Sequence, residues 1–167
     1  ASTTTAAPTP SPTSPIRTIN WCANNGCGPV VADGSCGGDW ASATADNIAT
    51  LTFIAADGTK PYVPLSRQQL IACDTIDNGC NGGMMTTAFT YILSNLNGSV
   101  ATNSSYPYVS SSGGNVPACL TNGTNGARIQ SFVTFASEFA METYVATTGP
   151  LPTGVDLSQQ SGYVGGV

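Results

Sequence analysis

The 167-residue sequence contains no histidine. These residues therefore supply no imidazole as a general base or as a metal ligand. Charge is scarce: Asp, Glu, Lys and Arg make up 8% of the chain, against roughly 25% in an average domain. The positive residues are Arg17, Lys60, Arg67 and Arg128, and the net charge is −5. Four scattered cations cannot neutralise a phosphate backbone, which excludes nucleic acid as a partner. An anionic membrane surface is excluded on the same ground. No run approaches the ~18 apolar residues of a membrane-spanning helix, and no signal-peptide core stands at the start. A secreted protein would accordingly be present here in its processed form.

Serine, threonine, asparagine and glycine fill the place of the charged residues. Apolar content is ordinary at 41%, and the length suits one medium domain or two small ones. Six cysteines, an even number, fit a disulfide framework formed in an oxidising, extracellular compartment. Fifteen pairings of six cysteines are open from sequence alone. Asn97-Gly98-Ser99, Asn103-Ser104-Ser105 and Asn122-Gly123-Thr124 are acceptor sequons for N-glycans. Glycans at Asn97, Asn103 and Asn122 could supply the solubility that the missing charges do not.

Residues 1–18 form a Pro/Thr/Ser-rich extended arm. Its first fifteen positions hold only Ala, Ser, Thr and Pro. That composition favours polyproline II and O-glycosylation. The expectation is that a neighbouring chain, the body of this one or attached sugars hold the arm in place.

The centre of the chain is Asp33-Gly34-Ser35-Cys36-Gly37-Gly38-Asp39-Trp40-Ala41. A glycine-rich turn carries one cysteine and runs into a helix. This stretch resembles the nucleophile segment of papain-like cysteine proteases, Gln-Gly-x-Cys-Gly-Ser-Cys-Trp-Ala. Trp21 and Pro29 fall at the family spacing from Cys36. Leu65-Ser66-Arg67-Gln68-Gln69-Leu70 resembles the family's Leu-Ser-Glu-Gln-x-Leu. Gly79-Cys80-Asn81-Gly82-Gly83 is nearly a family signature, and Tyr106-Pro107-Tyr108 resembles a family turn. Gly149 to Asp156 and Tyr163 to Val167 resemble later strands. The resemblance covers about residues 19–167.

It implies an α+β, papain-like fold: a helical, disulfide-stapled left domain at 19–125 and an incomplete right-hand antiparallel β part at 126–167. It implies the pairs Cys36–Cys80 and Cys73–Cys119. Cys22 and Cys27 lie outside the family pattern, and their spacing permits a local third disulfide. A zinc site there fails because the chain has no histidine and the resemblance gives the other thiols partners, and no cofactor or metal is expected.

Two positions depart from the family pattern and decide the chemistry. Asp39 stands where the family keeps its nucleophilic cysteine, and Asp33 where it keeps the oxyanion-donating glutamine. A thiolate at a helix N-terminus is a strong nucleophile. A carboxylate is electrostatically comfortable there but attacks amides poorly. An aspartate in an oxyanion hole repels the charge to be stabilised, and losing one donor alone costs about 10²–10³ in rate. The expectation is a pseudoenzyme: a secreted, glycosylated structural subunit that assembles into a fibre or surface coat through its arm and open β edge. Its partners would then be further copies, or a chain completing the β part. Two alternatives remain. One is a module binding peptide or glycan in a vestigial groove at Gly82 and Gly83. The other is one chain of a hydrolase completed by a second chain, with Asp39 as its reactive group.

Periodicity predicts helices from about Trp40 to Ala56, from a Ser66–Gln69 capping box, and over Ser137 to Thr147. Met84, Met85, Ala88, Phe89, Ile92 and Leu93 read as a buried helical stripe. Ser131 to Phe135 reads as a strand. Pro152 makes the stretch Gly149 to Asp156 a sheet edge or a bulge.

Overall fold

A computed structural model of the chain describes residues 19–57 and 59–156. The arm at 1–18 and the segment 157–167, with its Tyr163–Val167 motif, lie outside the described residues.

The body is built around helix α1, Asp39–Ala55. Small residues let it lie in the centre: Ala41, Ala45 and Ala49 are buried beside Trp40 and Ile48. Buried polar side chains on α1 are satisfied locally or across the fold. Thr44 Oγ1 donates to Trp40 O at 2.8 Å, and Asn47 Nδ2 donates to Pro150 O at 2.8 Å. Helices α2, Arg67–Cys73, and α3, Met85–Asn95, both pack against it. Leu70, Ile71, Ile92 and Val100 complete the interior.

Strands β1, Ser99–Ala101, and β2, Asn125–Arg128, form one antiparallel pair. Val100 faces Ala127, and the register shifts after it so that Ala101 faces Asn125. A Cβ on Gly126 would lie 2.6 Å from Leu65 Cδ2, so the irregular step falls where the backbone passes close against the Leu65 side chain. The boundary at 125/126 runs through β2, which is hydrogen-bonded to the half before it. Helix α4, Glu138–Thr147, is capped by Ser137, whose Oγ accepts from Ala140 N at 3.2 Å. Its carboxyl end is tied back to the start of the body: Trp21 Nε1 donates to Val145 O at 3.0 Å. The architecture is α+β, with a helical half stapled by disulfides and little sheet.

Four sequence expectations differ from the structure. Ser66 caps α2 through Gln69 N at 3.0 Å, but Gln69 does not return the bond. Its Oε1 accepts from Ala101 N at 2.8 Å, and Ser66 N donates to Ala101 O instead. The predicted box is thus opened to stitch α2 to β1. Met84 is the N-cap of α3 and 60% exposed, because the helical stripe starts one residue later. Residues 131–135 form no strand. Phe132 and Phe135 both turn inward, stacking on Phe89 at 5.3 Å and against Tyr144 at 5.0 Å. A spacing of three cannot satisfy a period of two. Residues 149–156 are likewise irregular. Pro150 and Pro152 each remove an amide donor, and the Pro150 carbonyl is taken by Asn47.

Candidate functional site

Residues 33–39 lie between two fixed walls. On one side Ser35 N donates to Ser111 O at 2.9 Å. Gly34 has φ +66° and passes so close to the Ser111 carbonyl that no side chain fits. On the other side Cys36 is bonded to Cys80, and Gly37 N donates to Cys80 O at 2.9 Å. Gly38 then brings the chain against Ile71, where a Cβ would come within 2.7 Å of Cδ1. The chain emerges with Asp39 exposed on the first turn of α1 and Trp40 buried beneath it. Trp40 Nε1 donates to Gly79 O at 3.0 Å. A carboxylate in that first turn is favoured by the helix dipole, by about 0.3–1 kcal/mol.

Asp33 is not free to face the helix tip. Its Oδ1 accepts from Arg67 Nη1 at 2.6 Å and from Ser42 Oγ at 2.8 Å, and its carbonyl accepts from Tyr108 Oη at 2.6 Å. Arg67 is 8% exposed. Its second nitrogen donates to Ala32 O at 3.2 Å, and its guanidinium lies 3.7 Å from the centre of the Tyr108 ring. The four side chains of Asp33, Ser42, Arg67 and Tyr108 form one polar knot. Beyond Arg67 lies a cavity of about 140 Å³ edged by Asp46, Tyr62 and Leu65. The carboxyl of Asp46 is pushed above its ordinary range chiefly by loss of solvent, with Arg67 opposing.

Composition alone makes Arg67 one of four scattered cations. A signal for its role is present in two departures taken together. Asp33 replaces a neutral glutamine and Arg67 replaces a glutamate of the family pattern, so one position loses a negative charge where the other gains one.

All six sulfurs are bonded, in the pairs Cys22–Cys27, Cys36–Cys80 and Cys73–Cys119. Among the described residues there is no cluster of acidic, cysteine or histidine side chains able to hold a metal. No helix there is long and apolar enough to cross a membrane.

Gly82 and Gly83 play different parts. Gly82 has φ +106° with open space around its Cα. A Cβ on Gly83 would lie 2.7 Å from Trp40 Cδ2 and 2.8 Å from Asp77 Cγ. Gly83 is therefore required by internal packing whether or not anything lies outside it. The sequon asparagines also differ. Asn122 is exposed. Asn97 is exposed in a tight turn, with φ 50° and Oδ1 accepting from Arg128 at 3.0 Å. Asn103 is half-buried at the rim of the small cavity. A larger cleft of about 660 Å³ lies along another face of α1, lined by Ile48, Leu51, Phe89, Phe132, Phe135 and Leu151.

The comparisons with known proteins agree with this geometry. The family model described as papain family cysteine protease matches residues 16–167. A cysteine proteinase of Trypanosoma brucei brucei is 41% identical over 151 residues, covering 89% of this chain and 33% of that protein. Cysteine proteinase A of Leishmania mexicana is 39% identical over 153 residues, covering 91% and 42%. The crystal structure of the ragweed pollen allergen Amb a 11, a cysteine protease in its proform, superposes with a TM-score of 0.52 at 34% identity. That superposition covers 64% of this chain and 31% of the allergen. The chain thus spans 31% to 42% of the length of these relatives. The turn, the stapled loop and the central helix that frame Asp39 are those of the papain family of cysteine proteases, and this chain belongs to it.

Proposed function

We propose that this chain is a non-catalytic member of its family, a pseudoenzyme that serves as a secreted, glycosylated assembly scaffold. One observation carries the reading. The tip of α1, where the family places its thiolate, bears Asp39, and each of the six thiols of the chain is consumed in a disulfide. Peptide cleavage by this family's route begins with a free thiolate. A carboxylate is a poor substitute against an amide. The knot around Asp33 supports the same reading. The residue in the oxyanion-donor position is spent on an ion pair, and it brings a negative charge rather than a donor.

The three disulfides and the exposed sequons at Asn97 and Asn122 support secretion and N-glycosylation. Exposed apolar side chains on the later half, Val133, Phe139 and Val155 among them, support association with further copies or a completing chain. The purified protein is expected to leave fluorogenic peptides uncut, at the same background as Asp39→Ala. Its sedimentation coefficient should rise with concentration. Turnover that disappears in Asp39→Ala would refute the pseudoenzyme. A monomer at every concentration would refute the scaffold.

A further inference from the structure

The larger cleft beside α1 contains neither the α1 tip nor the Asp33 knot. It is lined by Ile48 and Leu51 of α1, by Phe89 of α3, and by Phe132, Phe135 and Leu151 of the later half. Phe132 stacks on Phe89 at 5.3 Å, and Phe135 lies against Tyr144 at 5.0 Å, so these rings hold one another in place. Polar groups on the same walls are spent inside the protein. Asn47 Nδ2 donates to Pro150 O at 2.8 Å, and Thr52 Oγ1 donates to Ile48 O at 2.7 Å. The volume is about 660 Å³. Pockets of roughly 300–1,000 Å³ take small organic ligands.

The charge at this cleft is opposite in sign to that of the chain. The sequence carries nine acidic residues against four basic ones. Among the described residues the lining holds no aspartate or glutamate, and it holds one cation, Arg128, at the end of β2. Arg128 Nη2 donates to Asn97 Oδ1 at 3.0 Å, and a guanidinium carries more donors than that bond uses. Arg128 has no carboxylate partner among the described residues, where the ion pair is that of Arg67 with Asp33. A planar fork of donors beside an apolar wall matches one kind of ligand, a single carboxylate on a long apolar tail. A neutral apolar molecule leaves Arg128 unpaired, and a cation is repelled by it. A peptide brings backbone amides for which the apolar walls offer no partners.

We propose that this cleft binds the anion of a medium- to long-chain fatty acid, with its tail against Ile48, Leu51 and Phe132 and its carboxylate on Arg128. The tail supplies most of the affinity, about fourfold for each methylene buried. The ion pair is exposed and adds less, about fivefold. It fixes which end of the ligand lies at β2. Binding also removes from water an apolar surface that the described residues leave open. The site makes no use of Asp39, so the proposal stands or falls independently of the pseudoenzyme.

Isothermal titration calorimetry of the whole chain with decanoate, below its micelle concentration, tests the proposal. The expected result is saturation at a single ligand per chain. Octanoate, shorter by two methylenes, should bind about fifteenfold more weakly, and decanol about fivefold more weakly. Arg128→Met should bring decanoate down to the level of decanol, and Arg128→Lys should restore part of the difference. Ala55→Phe sets a ring into the cleft from an exposed helix position. It should weaken both ligands at an unchanged melting temperature. Acid should weaken decanoate, as its carboxylate takes up a proton, and leave decanol unchanged. Absence of saturable binding would overturn the proposal. So would equal affinities for decanoate, decanol and decyltrimethylammonium. A third overturning result is binding that appears only as a dimer dissociates in sedimentation, for the cleft would then belong to a second copy of the chain.

Discussion

Replacing Arg67 by methionine should unfold the corner of the molecule on which the α1 tip rests. The stem of Arg67 is packed, and a methionine side chain there would keep most of that contact. What disappears is the bond to Asp33 at 2.6 Å, the bond to Ala32 O and the guanidinium over Tyr108. Hydrogen bonds to charged groups contribute about 1.5–3 kcal/mol each, and the ring contact roughly 0.5–1. Removing one partner of a buried pair costs about 3–5 kcal/mol because the other charge is stranded. The Asp33 side chain is 26% exposed, so water partly rescues it, and Ser42 still donates to it. The expected loss is therefore near the lower end, about 3 kcal/mol, or roughly 6–12 °C in Tm for a chain of this size. The diagnostic measurement is the double-mutant cycle of Arg67→Met with Asp33→Asn, read by thermal denaturation. A coupling of about 1.5–3 kcal/mol is expected, well within the range for residues sharing a network. Coupling below about 0.5 kcal/mol would refute the argument, since distant, independent sites add to within that margin.

Two further outcomes follow from the same coordinates. Gly83→Ala places a methyl into Trp40 Cδ2 and Asp77 Cγ and should destabilise by about 1–3 kcal/mol, while Gly82→Ala meets no atom and is penalised only by its positive φ; equal urea midpoints for the two variants would remove the distinction drawn between the glycines. The Cys22–Cys27 bridge closes a short loop, with a sequence separation of 5, and Cys36–Cys80 a long one, with a separation of 44. On chain entropy the first contributes about 2 kcal/mol and the second about 4, so the double serine variant of the second pair should melt markedly lower, and equal melting temperatures would count against an entropic origin.

Local signals were legible where one helix or one turn decides the outcome. The cap at Ser66, the helical run of α1 and the bounds of α4 are carried by neighbouring residues. The expectations that failed were those in which a distant partner wins. Gln69 abandons its own helix because Ala101 N offers a better-placed donor. The stretch 131–135 gives up its alternation because Phe89 and Tyr144 capture two rings three residues apart. At the site, Asp33 and Asp39 could be singled out from motif spacing. The partner that fixes Asp33 sits thirty-four positions away.

The Arg67–Asp33 pair bears on how the fold tolerates its two departures from the family pattern. An aspartate at position 33 with a glutamate at 67 would set two like charges together in a corner where the second side chain is 10% exposed, and no nearby cation among the described residues would separate them. Neither change is acceptable alone: a guanidinium at 67 facing a neutral amide would be buried and unpaired, and a carboxylate at 33 facing a carboxylate would be repelled. Together they make an ion pair that also gathers Ser42 and Tyr108. A chemical role for position 33 requires a donor pointing at the helix tip, whereas the observed carboxylate is held by Arg67 of α2 and by Ser42. The Asp33 carboxylate is thereby spent on Arg67 and Ser42. Asp33→Gln with Arg67→Glu, the reverse exchange, should therefore preserve stability while neither single change does, and a double variant as unstable as the worse single would show that the two positions were not exchanged as a pair.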